Sequence, residues 1–407
     1  MEQAKIRLKP KEDLRIRWGH PWIYDNEIAS IEGSPEPGDA VEIVDNRGLS
    51  VGSAFFNPHS KIRCRLYSRL TRPADEAFFR EEIRKAIERR RGFLDPDKAS
   101  ARIIFGEADG IPGLVADSFV DSSGRGRWLS IQFLSLGVEK RKAEILAAFA
   151  AEFPSAGVIE RSEAPVRAYE GLQPASGLLA GSQPGEIWIE ENGLRFGIDL
   201  IEGQKTGWFL DQRANRAAAA RFARNPVTGA GRRVLDCFSN AGGFGLAAAK
   251  AGANRVECVD SSAAAVSSIA SNALANGLAD RVEAVEANAF DHLRNLERAH
   301  ERFGLVILDP PAFAKNRASI EGAHRGYKDL NLRALKLLEP GGTLVSCSCS
   351  YWFDRERFSR TIEEAARDAG RRLRLIEERT QDLDHPIVSG YQESRYLKCN
   401  IYSAEAL

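Results

Sequence analysis

Apolar and polar positions follow three rhythms along this chain. Up to about residue 73 they form short alternating runs, Ala40–Val44, Ser50–Phe56 and Lys61–Tyr67, separated by Pro35, Pro37, Gly38 and Pro58. Alternation of period two with proline and glycine between the runs predicts strands joined by turns, hence a small β-barrel. In the third run Lys61, Arg63 and Arg65 alternate with Ile62, Cys64 and Leu66, so the cations share one face and the apolar set faces the core. Taken alone, that strip reads first as a solvated barrel face and second as a row of phosphate contacts. In Gly19-His-Pro-Trp-Ile23, His20 reads as part of a turn beside a buried Trp22.

From 74 to 190 the rhythm is mixed, and an α+β middle domain is expected. Asp75–Gly92 has helical periodicity and ends in Arg89-Arg90-Arg91, either a nucleic-acid contact or a solvated helix end. Arg102–Phe105 and Trp128–Phe133 read as strands, with the turn-rich Gly106–Gly113 between them, and Val138–Glu152 reads as a helix. No catalytic constellation falls in this part.

From 191 to 407 strands and helices alternate. Strands are expected near 234–239, 255–260, 282–288, 305–309, 343–350, 372–380 and 395–403. Helical patterns fall at Gly243–Ala251, Ala263–Asn276, Phe290–Arg302, Tyr327–Leu338 and Arg355–Ala369. This is the signature of a doubly wound, mostly parallel sheet. No helix separates the last two strands, which predicts a hairpin and one antiparallel strand.

The richest stretch is Val234-Leu-Asp-Cys-Phe-Ser-Asn-Ala-Gly-Gly-Phe-Gly245, followed by a small-residue run and a second strand ending at Asp260. Glycines at 242, 243 and 245 would let backbone approach a ligand, and an acid at the tip of the second strand can grip a ribose diol. Four strand ends carry polar groups: Asp236–Asn240, Asp260, Asn288 and Asp309-Pro-Pro-Ala-Phe313. Ligands in such sheets bind beyond the carboxyl ends of the strands. An acid on the first strand suits a cationic ligand, and no base lies in the glycine turn to meet a pyrophosphate. The pattern favours S-adenosylmethionine over a dinucleotide.

Composition changes this picture little. The six cysteines form no CxxC pair, which argues against a zinc site or a disulfide framework and for a reducing cytoplasm. The N-terminus is charged and no apolar run reaches membrane-span length, so neither a signal peptide nor a membrane segment is expected. Zero formal net charge argues against indiscriminate coating of nucleic acid and leaves a local basic face open.

Several blocks carry a resemblance: Gly19-His-Pro-Trp-Ile23, Gly106-Glu-Ala-Asp-Gly-Ile-Pro-Gly-Leu114, Gly203-Gln-Lys-Thr-Gly-Trp-Phe-Leu-Asp-Gln-Arg213, Asp236–Phe244, Asp309–Phe313, Arg325-Gly-Tyr-Lys-Asp329 and Ser348-Cys-Ser350. With them the chain resembles class I S-adenosylmethionine-dependent methyltransferases. More closely, it is similar along nearly its whole length to large-subunit ribosomal-RNA cytosine-C5 methyltransferases of the bacterial methyltransferase I type. The resemblance implies a PUA-like RNA-binding barrel at 1–73, a middle domain at 74–190 and a Rossmann-like methyltransferase domain at 191–407. It raises the phosphate reading of Lys61, Arg63 and Arg65. For the cofactor it implies Asp236, Phe238, Ser239, Asn240, Gly242 and Gly243 at the methionine end. Asp260 and Ser261 would take the ribose and Asn288 and Ala289 the adenine, with Phe209 and Gln212 as cover and Asp309 alongside. Its substrate would be 23S ribosomal RNA, naked or in an assembling subunit; no metal or membrane is implied, and a homodimer is left open.

Cytosine C5 methylation needs a thiolate at C6 to make C5 nucleophilic. Cys347 and Cys349 share parity in Val345-Ser-Cys-Ser-Cys-Ser350; Cys349 is nearer the strand's carboxyl end and lies in the Ser-Cys-Ser motif. It is the expected nucleophile and Cys347 the expected core residue, while two buried structural thiols is the bland alternative. Many such enzymes carry a second cysteine where Pro311 stands here, so product release would use Asp309 or water. Asp309 would also hydrogen-bond the base, and Phe313, Tyr351 and Trp352 would either stack on it or serve as packing. Two readings compete: methylation of an exocyclic amine of guanine or adenine, which needs no cysteine, and a non-catalytic RNA-binding assembly factor.

Overall fold

Strand alternation in the N-terminal part extends further than the three runs. The sheet has six strands in the order Trp22–Tyr24, Ile62–Ser68, Ser50–Phe56, Ala40–Val44, Lys5–Leu8 and Ile28–Glu32. The three extra strands are three to five residues long, too short for a period to stand out. Its core is built on Ile6, Leu8, Ile23, Val41, Ile43 and Cys64. The computed structural model describes residues 3–201 and 207–406. By packing, the chain divides into a first unit of Met1–Glu190, Ile198–Leu210 and Leu383–Ser394, and a second of Glu191–Gly197, Asp211–Asp382 and Arg395–Leu407.

The strand Ile62–Ser68 corrects the phosphate-strip expectation. Cys64 and Leu66 enter the barrel core, as alternation requires. The opposite face is not open to water. Tyr67 joins a second core with Phe55, Phe78 and Phe79. Arg65 is buried and paired to Glu107 and Glu170, both at 2.8 Å, and its guanidinium lies 5.4 Å from the Trp22 ring centroid. Arg63 is half-buried and donates to the Pro58 carbonyl. Lys61 alone of the three is exposed. The face that looked solvated is covered by the middle part of the same unit.

That middle part is a five-stranded sheet in the order Ala175–Gly181, Gly157–Ser162, Gly126–Phe133, Leu114–Asp121, Ala101–Phe105. The strand Leu114–Asp121 went unread because its run Leu114-Val-Ala-Asp-Ser-Phe-Val-Asp121 interleaves polar residues that turn out buried. The helix Glu76–Arg91 is capped by Asp75, whose Oδ1 accepts from Phe78 N at 2.9 Å. Its arginine end is structural in part: Arg90 is 1% exposed and grips Asp109 with two bonds of 2.6 and 2.7 Å, while Arg89 adds a third at 2.6 Å. His20 is buried, and Trp22 is the half-buried member, its Nε1 donating to Glu107 at 2.7 Å.

The second unit holds a seven-stranded sheet: β1 Arg233–Cys237, β2 Arg255–Asp260, β3 Val282–Glu286, β4 Phe303–Leu308, β5 Leu338–Ser348, β6 Arg371–Arg379 and β7 Lys398–Ala406. Its order is β3-β2-β1-β4-β5-β7-β6, with β7 antiparallel to both neighbours and the first five strands parallel. The helices are α1 Arg213–Ala220, α2 Gly243–Lys250, α3 Ala263–Ala275, α4 Ala289–Arg298, α5 Ile320–Leu337 and α6 Arg355–Asp368. The last two strands are no tight hairpin, since Leu383–Ser394 between them belongs to the first unit. Helix α5 begins seven residues before Tyr327, where Gly322 and Gly326 obscure its period.

Candidate active site

The turn after β1 is built from residues in unusual backbone conformations. Phe238 and Asn240 have φ of 63° and 51°, and Gly242 has φ of 84°. Non-glycine residues in that region carry strain and persist where the surroundings impose them. The glycines are required by packing within the unit. A Cβ on Gly242 would meet Leu246, one on Gly243 would meet Arg216, and one on Gly245 would lie 2.2 Å from Cys258 Sγ. Helix α2 thus sits directly on β2.

Asp236 closes β1 and is fully buried. Its Oδ2 accepts from Gly245 N at 2.9 Å and from the Ser239 hydroxyl, whereas Oδ1 is buried without a partner. Burial pushes its carboxyl up to about 7; the nearby Asp309 adds to the rise, while Ser239, Gly245 and Arg216 oppose it. A buried carboxyl with one oxygen uncompensated is suited to a cationic ligand, which would favour its charged form. Asp260, at the end of β2, accepts from Asn240 N at 2.9 Å through Oδ2 and from Ser262 N at 3.0 Å through Oδ1. It ties the two strand ends together, and each oxygen keeps a further lone pair for a hydroxyl. Ser261 is exposed beside it. Asn288 caps α4, its Oδ1 accepting from Phe290 N at 3.0 Å; the amide nitrogen is its remaining donor toward a base, and Ala289 behind it is buried. These acids and amides fit S-adenosylmethionine.

The ends of β4 and β5 form the second part of the site. Asp309 follows β4, its N–H 3.4 Å from the Cys237 carbonyl, and its charge acts on Asp236 and on Cys347. Cys347 is fully buried and faces Cys399 across the strand pair; that contact, with burial, drives its thiol well above the usual range. Cys349 is the first residue beyond β5. Of the six cysteines, the other five are buried and Cys349 is half-buried.

A polar cradle holds the Cys349 turn. The Tyr327 hydroxyl lies 2.8 Å from Ser348 Oγ and 2.9 Å from Ser350 Oγ, and Ala314 N donates to Ser350 Oγ at 3.2 Å. Burial pushes the Tyr327 phenol up to about 12. Phe313 packs 4.8 Å from the Tyr327 ring and is half-buried, so one side is core. Tyr351 is 48% exposed and meets Trp352 edge-on.

Gln212 is buried, accepts from Asn215 Nδ2 at 2.7 Å and hydrogen-bonds toward Cys347, placing it beneath the β5 end. Phe209 packs with the first unit, as do Lys61, Arg63 and Arg65. Residues 203–206 of the Gly203–Arg213 block lie outside the described residues. Sequence reasoning missed three contributors. Arg216, paired to Glu191 at 2.7 Å, sits against the turn that seemed free of bases. Tyr327 lay inside a quoted motif without a role. Lys398 was signalled by a lone cation in the run Leu397-Lys-Cys-Asn-Ile401. Among the described residues no His, Cys, Asp and Glu cluster could hold a metal, and no helix is long and apolar enough to cross a membrane.

The chain is similar to known proteins along nearly its whole length. Residues 6–69 match a PUA-like domain and residues 172–393 an S-adenosylmethionine-dependent methyltransferase. A ribosomal RNA large subunit methyltransferase I of Shewanella denitrificans is 39% identical over 97% of this chain and 98% of its own. The protein of that name from Pseudoalteromonas translucida is 38% identical over 98% and 100%. Among solved structures, SMU.776, a candidate methyltransferase complexed with SAH, superposes with TM-score 0.82 at 21% identity, covering 98% of this chain and 99% of that one. A candidate SAM-dependent methyltransferase from Streptococcus mutans gives TM-score 0.81 at 20% identity, with the same coverage. These two establish the fold. With its PUA-like domain, its acid-lined strand ends and relatives that match it end to end, the chain belongs to the ribosomal RNA large subunit methyltransferase I family of S-adenosylmethionine-dependent methyltransferases.

Proposed function

We propose that this chain methylates C5 of cytosine in large-subunit ribosomal RNA, with Cys349 as nucleophile. The observation that carries the reading is the setting of Cys349. It is the one cysteine not buried, at the carboxyl end of β5, in a turn cradled by Tyr327, Ser350 and Ala314. The relatives' printed name supports ribosomal RNA as the substrate class.

S-adenosylmethionine supplies an electrophilic methyl group. Asp236 and the turn Phe238–Gly243 hold its cationic end, Asp260 and Ser261 its ribose, and Asn288 and Ala289 its adenine. The Cys349 thiolate adds to C6 of the base, and the displaced ring electrons make C5 nucleophilic. Asp309 accepts a hydrogen bond from the N4 amine and keeps the base in place. After transfer, the C5 proton passes to Asp309 or water, and the C6–S bond breaks to return the thiolate. Phe313 and Tyr351 flank the base, which must leave its stack to reach the site. Lys61 and Arg63 remain as cations for the RNA backbone; Arg65, consumed by its two carboxylates, does not.

The test is methylation of ribosomal RNA by Cys349→Ala, with nucleoside mass spectrometry as readout. The variant is expected to be inactive, and RNA carrying 5-fluorocytosine at the target is expected to trap the wild type as a covalent adduct. Full methylation by Cys349→Ala sinks the covalent mechanism and leaves amine methylation as the reading.

A further inference from the structure

We infer that Lys398 is a positioning residue for Cys349, its ammonium clamping the cysteine turn and stabilising the thiolate. This rests on the reading of Cys349 as nucleophile. Lys398 spans that cysteine from one flank to the other. Its backbone pairs with Ser348, the residue before Cys349. Its Nζ donates at 2.7 Å to the carbonyl of Ser350, the residue after Cys349, and at 3.0 Å to the carbonyl of Tyr396.

The side chain is also in an environment that is costly for a cation. It is 5% exposed, and both acceptors of its ammonium are neutral carbonyls. Buried charges are ordinarily matched by an opposite charge. The titratable groups whose charges act on it are Cys349, Arg355 and Asp354. Burial pulls the ammonium down to about 8; Cys349 and Asp354 favour its charged form and Arg355 opposes it. The Tyr327 phenol, which also holds this turn, is pushed up by burial to about 12, so it stays neutral and engaged with Ser348 and Ser350. A thiolate at Cys349 is therefore a natural counter-charge for this ammonium. On ionisation the thiol proton goes to solvent, and Lys398 keeps its own three protons. An ammonium next to a cysteine lowers the thiol pKa and raises the thiolate fraction near neutrality.

The experiment is alkylation of Cys349 by iodoacetamide in the full chain between pH 6 and 9, quantified by peptide mass spectrometry. Wild type is compared with Lys398→Met, Lys398→Gln and Lys398→Arg. Loss of the charge in Met and Gln is expected to slow alkylation at pH 7 by about threefold to tenfold and to move its pH midpoint upward. Arg, which keeps the charge, is expected to restore most of the rate. In methyl transfer, kcat should fall with the alkylation rate, while KM for S-adenosylmethionine stays within about twofold. If the Met variant does not fold, Gln, which can still donate to Ser350, carries the comparison. An unmoved midpoint in a folded Gln variant overturns the inference and leaves the nucleophile reading intact. Full methylation by Cys349→Ala overturns the nucleophile reading, and the inference with it, whatever the alkylation rates.

Discussion

Both units bury matched ion pairs, Arg216 with Glu191 in the second among them, but the second also buries charged groups without a match. In the first, Arg90 meets Asp109 through both oxygens, and Arg65 meets Glu107 and Glu170. Burial pushes the Asp109 and Glu170 carboxyls up, yet Arg90 and Arg65 with their neighbours bring both below the ordinary range. In the second unit Asp236 keeps an oxygen without a partner and is held up at about 7, while Lys398 is held down at about 8. Matched buried charges specify packing; mismatched ones mark where a ligand or a reacting group completes the balance. Perturbed ionisation alone does not separate the two cases, but its direction against the charged form does.

Four experiments would break or sharpen that contrast, taken from the largest effect down. Removing Arg90 leaves the buried Asp109 carboxylate with only Arg89 and the Phe105 N–H as partners, so Arg90→Met should cost about 3–5 kcal/mol in denaturant unfolding. The Asp109 carboxyl is lowered in the folded state, so its contribution is complete above the ordinary carboxylate pKa. It is lost as pH falls through the lowered value. A loss under about 1 kcal/mol for Arg90→Met would mean the pair is not matched as described.

Gly245→Ala probes the turn from the other side. Its Cβ would lie 2.2 Å from Cys258 Sγ and 3.2 Å from Asp236 Oδ2, both buried. We expect about 1–3 kcal/mol of destabilisation together with weaker S-adenosylmethionine binding. A variant as stable as wild type would show that helix α2 can lift off β2 freely.

The third experiment uses pH. Asp236 is raised in the folded protein, so without ligand it costs stability as pH climbs from the ordinary carboxylate value toward about 7. A cationic cofactor favours the ionised acid. Its affinity by calorimetry should therefore rise about tenfold between pH 6 and pH 8, and Asp236→Asn should abolish that rise. A flat profile in the wild type would remove Asp236 from the cation site.

The smallest effect separates Lys61, just before the strand Ile62–Ser68, from Arg65 within it. Lys61→Gln should weaken binding to ribosomal RNA about twofold to fivefold and lower the salt slope by about one, with stability unchanged. Arg65→Gln should instead lower the melting temperature. Equal effects of the two on RNA binding at unchanged stability would restore the three-cation strip.

How much of this was legible depends on what a residue's neighbours in sequence can report. The strand–helix rhythm after residue 233 predicted all seven strands of the second sheet, because apolar runs bounded by turns are local signals. Helix α1 was not read, since Arg213-Ala-Asn-Arg-Ala-Ala-Ala-Ala220 carries no large apolar side chain to mark a core face. At the site, Asp236, Asp260 and Asp309 stood out because each ends a strand, and Cys349 because it lies nearer the end of β5 than Cys347. Lys398 and Arg216 did not, since their partners are 48 and 25 residues away, Ser350 and Glu191.

The sequence by itself determined the seven strands of the second sheet, the doubly wound class and the identity of the strand-end acids, because these follow from periodicity and from residues adjacent along the chain. Tertiary structure decided which charges are available for chemistry. It took Arg65 and Arg90 into buried ion pairs, since docking a second layer turned an outward face inward. It placed Arg216 against a turn that seemed free of bases, and set Lys398 against the Cys349 turn, since β7 inserts beside β5. Availability depends on burial and on partners distant in sequence, and neither is written in local pattern.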